Sequence, residues 1–237
     1  MRMGVAFALL VSRASLATAD EPPPPHWTFA AGAETDFPVD VAGRVELETP
    51  FRLRLSTSLG VLPGPYVSAM NGFLVGVGAY DAATGTLITS TLQSSLVWRT
   101  HVGVRPSPKL GLYGDVGYGL VTLGGSTTTS DILAAVTGAT FPAADATTTK
   151  MLSVKSTLHM LDVEIGWALP IADHVQLRGA VGGAFTVAAS TTVSPDFTPR
   201  APAAMSQFAN ASARYLDHEL ESYVFTPVFT VGAAYVF

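Results

Sequence analysis

Three side chains near the middle of the chain have the types from which an acyl-transfer site is built. Ser156, His159 and Glu164 bring a hydroxyl, an imidazole and a carboxylate within nine residues. A nucleophile needs a base in hydrogen-bond reach and a third group to orient that base. The apolar alternation breaks between them, with Leu152, Val154, Leu158 and Met160 at even positions and Leu161, Val163 and Ile165 at odd ones. Ser156 and Glu164 therefore fall on opposite sides of a β-bulge expected near Met160–Leu161, and His159 suits an ordinary interface position. No catalytic residue is assigned. His26, His101, His159, His174 and His218 show no metal-ligand spacing. The chain has no cysteine, hence neither thiol chemistry nor disulfides. Gly111-Leu112-Tyr113-Gly114 and Gly117-Tyr118-Gly119 lack the Lys-Ser/Thr of a phosphate loop. Neither a metal nor any other cofactor is expected.

The chemistry that recurs along the chain is ionic. Glu34, Asp40, Glu46, Asp115, Asp162 and Glu164 share one phase of alternating segments with Arg44, Arg52, Arg54, Arg99, Arg105 and Arg178. The rest of that phase is rich in Gly and Ala, includes His101 and His174, and has no lysine. A water-facing surface favours flexible, well-hydrated lysines, whereas a cramped interior favours small residues interleaved with fixed pairs. Six acids against six arginines is what buried charge demands, because an unpaired ion is costly to desolvate. These residues are expected to form an inward ion-pair network, structural in the first instance. A narrow polar path along the glycines of the fifth and seventh strands is the functional alternative, and His101 and His174 are expected to join the pairing.

A period of two marks strands whose faces meet different surroundings. Eight such segments span 27–35, 38–47, 51–61, 94–105, 109–123, 151–169, 174–189 and 222–237. Their connections are unequal. Glu48-Thr49-Pro50, Pro106-Ser107-Pro108 and Pro170 to Asp173 are tight turns, Asp36-Phe37 is a short link, and 62–93, 124–150 and 190–221 are long. Strands that reverse at each step place the three tight turns at one end with the termini, and the long links at the other. Residues 65–93 and 201–221 carry helix-compatible patterns, the latter with Ala204, Phe208, Ala211 and Tyr215 on one face. Asp131 to Val136 predicts a short helix capped by Ser130, and 137–150 reads as mobile.

Of the 237 residues 48% are hydrophobic and 13% charged, against about 25% charged in soluble domains. The longest apolar run, Val5 to Val11, is far short of the roughly 20 residues of a spanning helix. A transmembrane barrel hides its hydrophobicity in alternation instead. The phase opposite the charges holds Trp27, Phe29, Val41, Val45, Leu53, Leu55, Leu59, Trp98, Val102, Val163, Ile165, Trp167, Leu177 and Val181, and is assigned to lipid. Trp27, Phe51, Trp167, Tyr235 and Phe237 gather near the turn end, as an interfacial girdle does. Without residues 1–19, which hold Arg2 and Arg13, 11 basic and 18 acidic residues leave a net charge of −7. That balance argues against nucleic-acid binding.

The final segment, SYVFTPVFTVGAAYVF, places Phe229, Tyr235 and Phe237 in one phase and ends on an aromatic. It resembles the C-terminal signal of bacterial outer-membrane β-barrels. With the alternation and the turn asymmetry, residues 26–237 resemble the small outer-membrane class of OmpA-like and OmpX-like eight-stranded barrels. The expected fold is all-β, an eight-stranded antiparallel up-and-down transmembrane β-barrel with helix-containing extracellular loops. The resemblance implies an outer-membrane location with both termini periplasmic. It further implies outer-membrane lipid as partner, and barrel-assembly machinery engaged through Phe229, Tyr235 and Phe237.

Arg2, the apolar Gly4 to Val11 and Ala17-Thr18-Ala19 read as an export signal over 1–19, followed by a Pro-rich leader over 20–25 and the barrel over 26–237. Three functions are weighed. The first is a non-enzymatic barrel with structural or surface roles through its long loops, which an extracellular ligand would engage. The second is uptake of small hydrophobic molecules at a loop-capped mouth, where Phe73 to Val77 is apolar. The third is a lipid hydrolase using His159.

Overall fold

Alternation becomes strand when the two faces of a segment meet different media, and here every strand does so. The computed structural model describes residues 26–76, 78, 82, 85–86, 89, 94–107, 110–137, 150–222 and 225–237. The signal and leader expected over 1–25, and 138–149 of the segment read as mobile, lie outside the described residues. The elements are β1 (Thr28–Phe37), β2 (Asp40–Glu48), β3 (Leu53–Val61), α1 (Gly64–Gly76), β4 (Ser94–Ser107) and β5 (Leu112–Thr128). They continue with α2 (Thr129–Thr137), β6 (Met151–Ala172), β7 (Val175–Pro195), α3 (Pro202–Ser222) and β8 (Phe225–Val236). The strands form one closed antiparallel barrel in sequence order, and β1 pairs with β8 to close it.

Turn chemistry sets one end. The β2–β3 turn is held by the Thr49 amide donating to the Leu53 carbonyl at 2.9 Å, while Thr49 Oγ1 accepts from the Leu53 amide at 3.1 Å. Gly111, with φ 65°, closes the β4–β5 turn in the left-handed region that glycine adopts without strain. Asp173 and His174 join β6 to β7. At the other end β1 and β2 meet through Pro38-Val39, not through Asp36-Phe37 as the sequence suggests, because pairing continues to Asp36 opposite Asp40.

The outside is apolar and the inside charged, the reverse of a barrel in water. Leu161, Val163, Ile165, Trp167, Leu169 and Ile171 all face outward along β6. Ten rises of ~3.3 Å at a tilt of ~40° span about 25 Å, the height of the apolar band on a membrane barrel. Among the described residues no helix is long and apolar enough to cross a membrane, so the strands are the elements that can.

Above the band β5, β6 and β7 continue together as a ribbon, Thr128 opposite Met151 and Leu152 opposite Pro195. Its outward side turns polar, with Lys155, Ser190, Thr192 and Ser194 exposed. Its inner side turns apolar: Leu152, Val154 and Val193 pack with Ile132, Ala135, Ala209 and Leu216 of α2 and α3. This changes the reading of β6. Its even residues face inward throughout, from Leu152 to Ala168, and its ladder to β5 is unbroken. The register shift lies between β6 and β7, where His159 pairs with Ala188 and Met160 with Thr186, leaving Val187 extra. The bulge therefore belongs to β7, where Arg178, Ala180, Ala184 and Thr186 are buried below it and Thr191 and Val193 above it. The apparent break in β6 is a change of interior, from charged lumen to apolar cap.

Two helix details differ from expectation. The cap of α2 is Thr128, not Ser130: Thr128 Oγ1 accepts from the Asp131 amide at 3.1 Å, and Asp131 Oδ2 accepts from the Thr128 amide at 3.2 Å, a reciprocal capping box. The fully buried face of α3 is Ala209, Ser212 and Leu216, one position on from the expected face, of which Phe208 and Tyr215 still pack against the cap core while Ala204 and Ala211 are exposed. Ser212 tolerates burial because its hydroxyl donates to the Phe208 carbonyl at 2.8 Å.

Candidate functional site

The inward phase of the strands delivers its charges to the barrel axis in two tiers. In the tier nearer the turns, Arg54 bridges β2 and β5: its Nη2 lies 2.7 Å from Glu46 Oε2 and its Nη1 3.1 Å from Asp115 Oδ1. Arg178 binds Glu34 and Glu164 through separate nitrogens and donates to the Tyr113 hydroxyl through Nε. Arg44 lies among Glu34 at 3.4 Å, Asp115 at 3.6 Å, Glu46 at 3.7 Å and Glu164 at 4.0 Å. Arg105, nearest the turns, reaches Glu48 at 3.1 Å and Glu46 at 3.7 Å.

In the upper tier Arg99 joins Asp36 of β1 to Asp162 of β6, the latter at 3.0 Å. His101 Nε2 lies 2.8 Å from Asp162 Oδ1, and the Thr230 hydroxyl donates to Asp36 Oδ1 at 2.5 Å.

Tyr113 organises the lower tier. It is buried, with the Arg54 guanidinium 3.6 Å and the Arg178 guanidinium 5.2 Å from its ring centre. A Cβ at Gly166 would strike the Tyr113 ring and Ala180, and one at Gly117 would strike Asp162 and His101. These inward glycines make the space that the large side chains fill. Alternating small and large residues fit a narrow interior.

Two of the twelve expected network members behave differently. Arg52 lies outside the lumen, exposed in the β2–β3 turn at φ 67°, where its Nη1 donates to the Pro106 carbonyl at 2.6 Å. It follows a turn residue, not a strand, so strand parity does not apply to it. Asp40 faces inward and is fully buried, yet neither carboxylate oxygen has a hydrogen-bond partner among the described residues. His174 is likewise not in the lumen: it sits in the β6–β7 turn, stacked on Tyr235 at 5.3 Å.

Asp36 and Glu48 enter the lumen although sequence reading left them out. Asp36 continues the even parity of Ala30, Gly32 and Glu34, a signal that a longer β1 would have used. The six-to-six balance becomes eight acids against five arginines and His101 among the described residues.

The proposed hydrolytic cluster is not brought together. Ser156 is buried on the inner face, sharing a 2.8 Å hydrogen bond with Thr191 Oγ1. Glu164 is also inward and tied to Arg178. His159 lies on the outer side, its Nδ1 2.6 Å from the Tyr118 hydroxyl. A nucleophile and base on opposite faces of one sheet cannot exchange a proton.

The ion pairs do something the ladders cannot. Ladder hydrogen bonds join neighbouring strands, whereas Arg54–Asp115, Arg99–Asp36 and Arg99–Asp162 join strands that are not neighbours, bracing the barrel across its axis. A void lined by Glu34, Arg44, Glu46 and Arg178 measures about 20 Å³, room for one water molecule. Above the charges, Val97, Val121, Leu123 and Leu158 form an apolar layer, joined by Val39 from the β1–β2 turn and Leu220 from α3. The apolar Phe73 to Val77 invoked for ligand uptake lies outside the described side chains apart from Val75 and Gly76.

No protein-family model and no curated protein matches the chain. Solved structures do. The N-terminal β-barrel domain of Pseudomonas aeruginosa OprF aligns over 89% of this chain and 96% of that one, at 9% identity and a TM-score of 0.41. Acinetobacter baumannii CarO covers 88% and 97% at 11% identity, TM-score 0.38. A major outer membrane protein from Thermus thermophilus covers 89% and 99% at 15% identity, TM-score 0.42. At these identities and TM-scores the likeness carries no argument, and fold and function rest on the chain's own geometry.

At the turn end the aromatics form a continuous group. Phe29 lies 5.3 Å from Phe237, and Phe237 packs edge-on at 4.9 Å against Tyr235. Phe229, Tyr235 and Phe237 all face outward. Phe51 is 91% exposed at its turn, a position that suits an aromatic at a membrane interface and is unfavourable in water.

Proposed function

We propose that this chain is a non-enzymatic integral outer-membrane barrel whose closed interior carries the ribbon and helices outside the cell. The observation that carries the reading is the filled lumen, cross-braced by buried ion pairs below and covered by an apolar layer above. Eight strands enclose a space that side chains fill, and an apolar constriction disfavours a water column. The outward apolar band of about 25 Å and the aromatic girdle support a lipid surround. The tight turns and termini then face the periplasm, and α1, α2, α3 and the β5–β7 ribbon face outward. A role in surface interaction belongs to that outer module, because among the described residues side chains and ion pairs occupy the lumen and an apolar layer covers it. The network of Glu34, Arg44, Glu46, Arg54, Arg99, Arg105, Asp115, Asp162, Glu164 and Arg178 is structural on this reading. Phe229, Tyr235 and Phe237 serve barrel assembly, and residues 1–19 direct export.

Planar-bilayer recording of the purified protein tests the closed lumen. The expected result is no steady conductance. Reproducible steps that vanish when α3 is cross-linked to β7 would replace the structural role with a gated one. Cell fractionation with heat-modifiable gel mobility tests the location, and recovery of a soluble periplasmic protein would overturn it.

A further inference from the structure

Inward and outward glycines meet opposite constraints. At Gly117 and Gly166 a Cβ would collide with neighbouring side chains, but at Gly179 of β7 it would lie 3.9 Å from the Thr230 carbonyl, an ordinary contact. The backbone at Gly179 is not left-handed either. Nothing in the barrel requires glycine there. Where that side chain is missing, an open groove of about 460 Å³ lies on the outer surface, with the β7–β8 backbone in its floor. Trp167 and Val231 are the cross-strand partners of Gly179, and Leu177, Val181 and Phe229 complete the walls. All five side chains are exposed.

We propose that this groove holds one acyl chain of a phospholipid from the periplasmic leaflet, a proposal that rests on the outer-membrane reading above. The groove is continuous with the apolar band, so hydrocarbon is what covers it in the membrane. Among hydrocarbon chains burial itself gives no preference, and retention depends on van der Waals contact. A smooth wall touches a chain on one side. A trough between Trp167 and Val231, with backbone as its floor, touches it on three. Directly below, Tyr235 pairs with Val175 and stacks on His174, which sets a polar level for the headgroup while the tail rises past Leu177 to Phe229. The turn at Asp173 and His174 places the groove in the periplasmic half of the band, which selects a phospholipid over an outer-leaflet glycolipid.

The test uses the full chain with Trp27→Phe and Trp98→Phe, leaving Trp167 as the remaining one of three tryptophans, in nanodiscs containing phospholipid with brominated acyl chains. Gly179→Leu fills the groove. Gly43→Leu is the control, since Gly43 also faces outward and a Cβ there meets nothing within 4 Å. Expected are excess quenching of Trp167 over the bulk brominated fraction and one phospholipid retained in native mass spectrometry, both lost in Gly179→Leu and kept in Gly43→Leu. Equal retention in the two variants overturns the proposal. So does retention of an outer-leaflet glycolipid, or a wild-type dimer that Gly179→Leu dissociates, which would make a second copy the occupant. Heat-modifiable mobility and membrane recovery are followed in every sample. Intact membrane barrels without lipid selectivity sink this inference alone; their absence sinks the outer-membrane reading with it.

Discussion

Two arginines two positions apart show how much depends on where a charge sits. Arg54 is buried between Glu46 and Asp115 over the Tyr113 ring. Removing it leaves two buried carboxylates short of a partner, a loss of roughly 3–5 kcal/mol. Arg54→Ala is expected to lower the unfolding free energy measured by denaturant titration by that much, whereas Arg52→Ala, out in the turn, stays within about 0.5 kcal/mol of wild type. Asp40 reverses the usual expectation. It is buried and neither carboxylate oxygen has a hydrogen-bond partner among the described residues, so its charge is costly to bury. Asp40→Asn is expected to be at least as stable as wild type in the same titration, while Asp162→Asn, which breaks contacts to Arg99 and His101, is clearly less stable. Sequence parity placed both carboxylates inward. It could not say which would find an arginine, because that depends on strands up to four places away around the ring.

At the level of elements, the phase of each strand decides what it can bury. In β7 the extra residue Val187 resets the parity, so that Thr191 and Val193 face the cap. Inserting one alanine after Val187 is expected to turn Val193 outward, because a one-residue shift exchanges the two faces of a strand. The cap core then loses a member and α3 undocks, read as faster proteolysis within 202–222 while the barrel keeps its heat-modifiable mobility. Leu216, buried in that core, gives a second handle: Leu216→Ala is expected to cost about 2–5 kcal/mol locally and to raise the same cleavage rate. The sequence located α3 well but turned its face by one residue. Counting apolar side chains passes over Ser212, whose hydroxyl is satisfied within the helix.

At the scale of the whole molecule, closure depends on β8, which pairs with both β1 and β7. Phe237 reaches back to Phe29, its amide donating to the Phe29 carbonyl at 2.9 Å and the rings 5.3 Å apart. Phe237→Ala is expected to reduce the heat-modifiable form in the outer membrane several-fold, with unassembled chain accumulating in proportion. An unchanged level would remove the assembly role from this residue. The ribbon of β5, β6 and β7 rising beyond the band makes the outer module an extension of the barrel wall, not an independent domain, which is why α2 and α3 can pack on the inner side of the wall.

Strand number, the inward direction of most charges, the outward aromatics and, to within a few residues, the three tight turns were legible in the sequence, although β4 runs on to Ser107 and β6 to Ala172. Each follows from a local period of two and from turn residues whose conformations are fixed within a few positions. Three things were decided only when the ring closed. The partners of each ion are set by strands distant in sequence, so composition suggested a balance of six and six where the described residues of the lumen hold an acid excess. The interior of β6 changes from charged to apolar because α3 covers it from above, and in one strand that looks like a slipped phase. The outward groove at Gly179 exists because Trp167 and Val231 flank it from β6 and β8. A glycine in a list of residues carries no sign of what stands on either side.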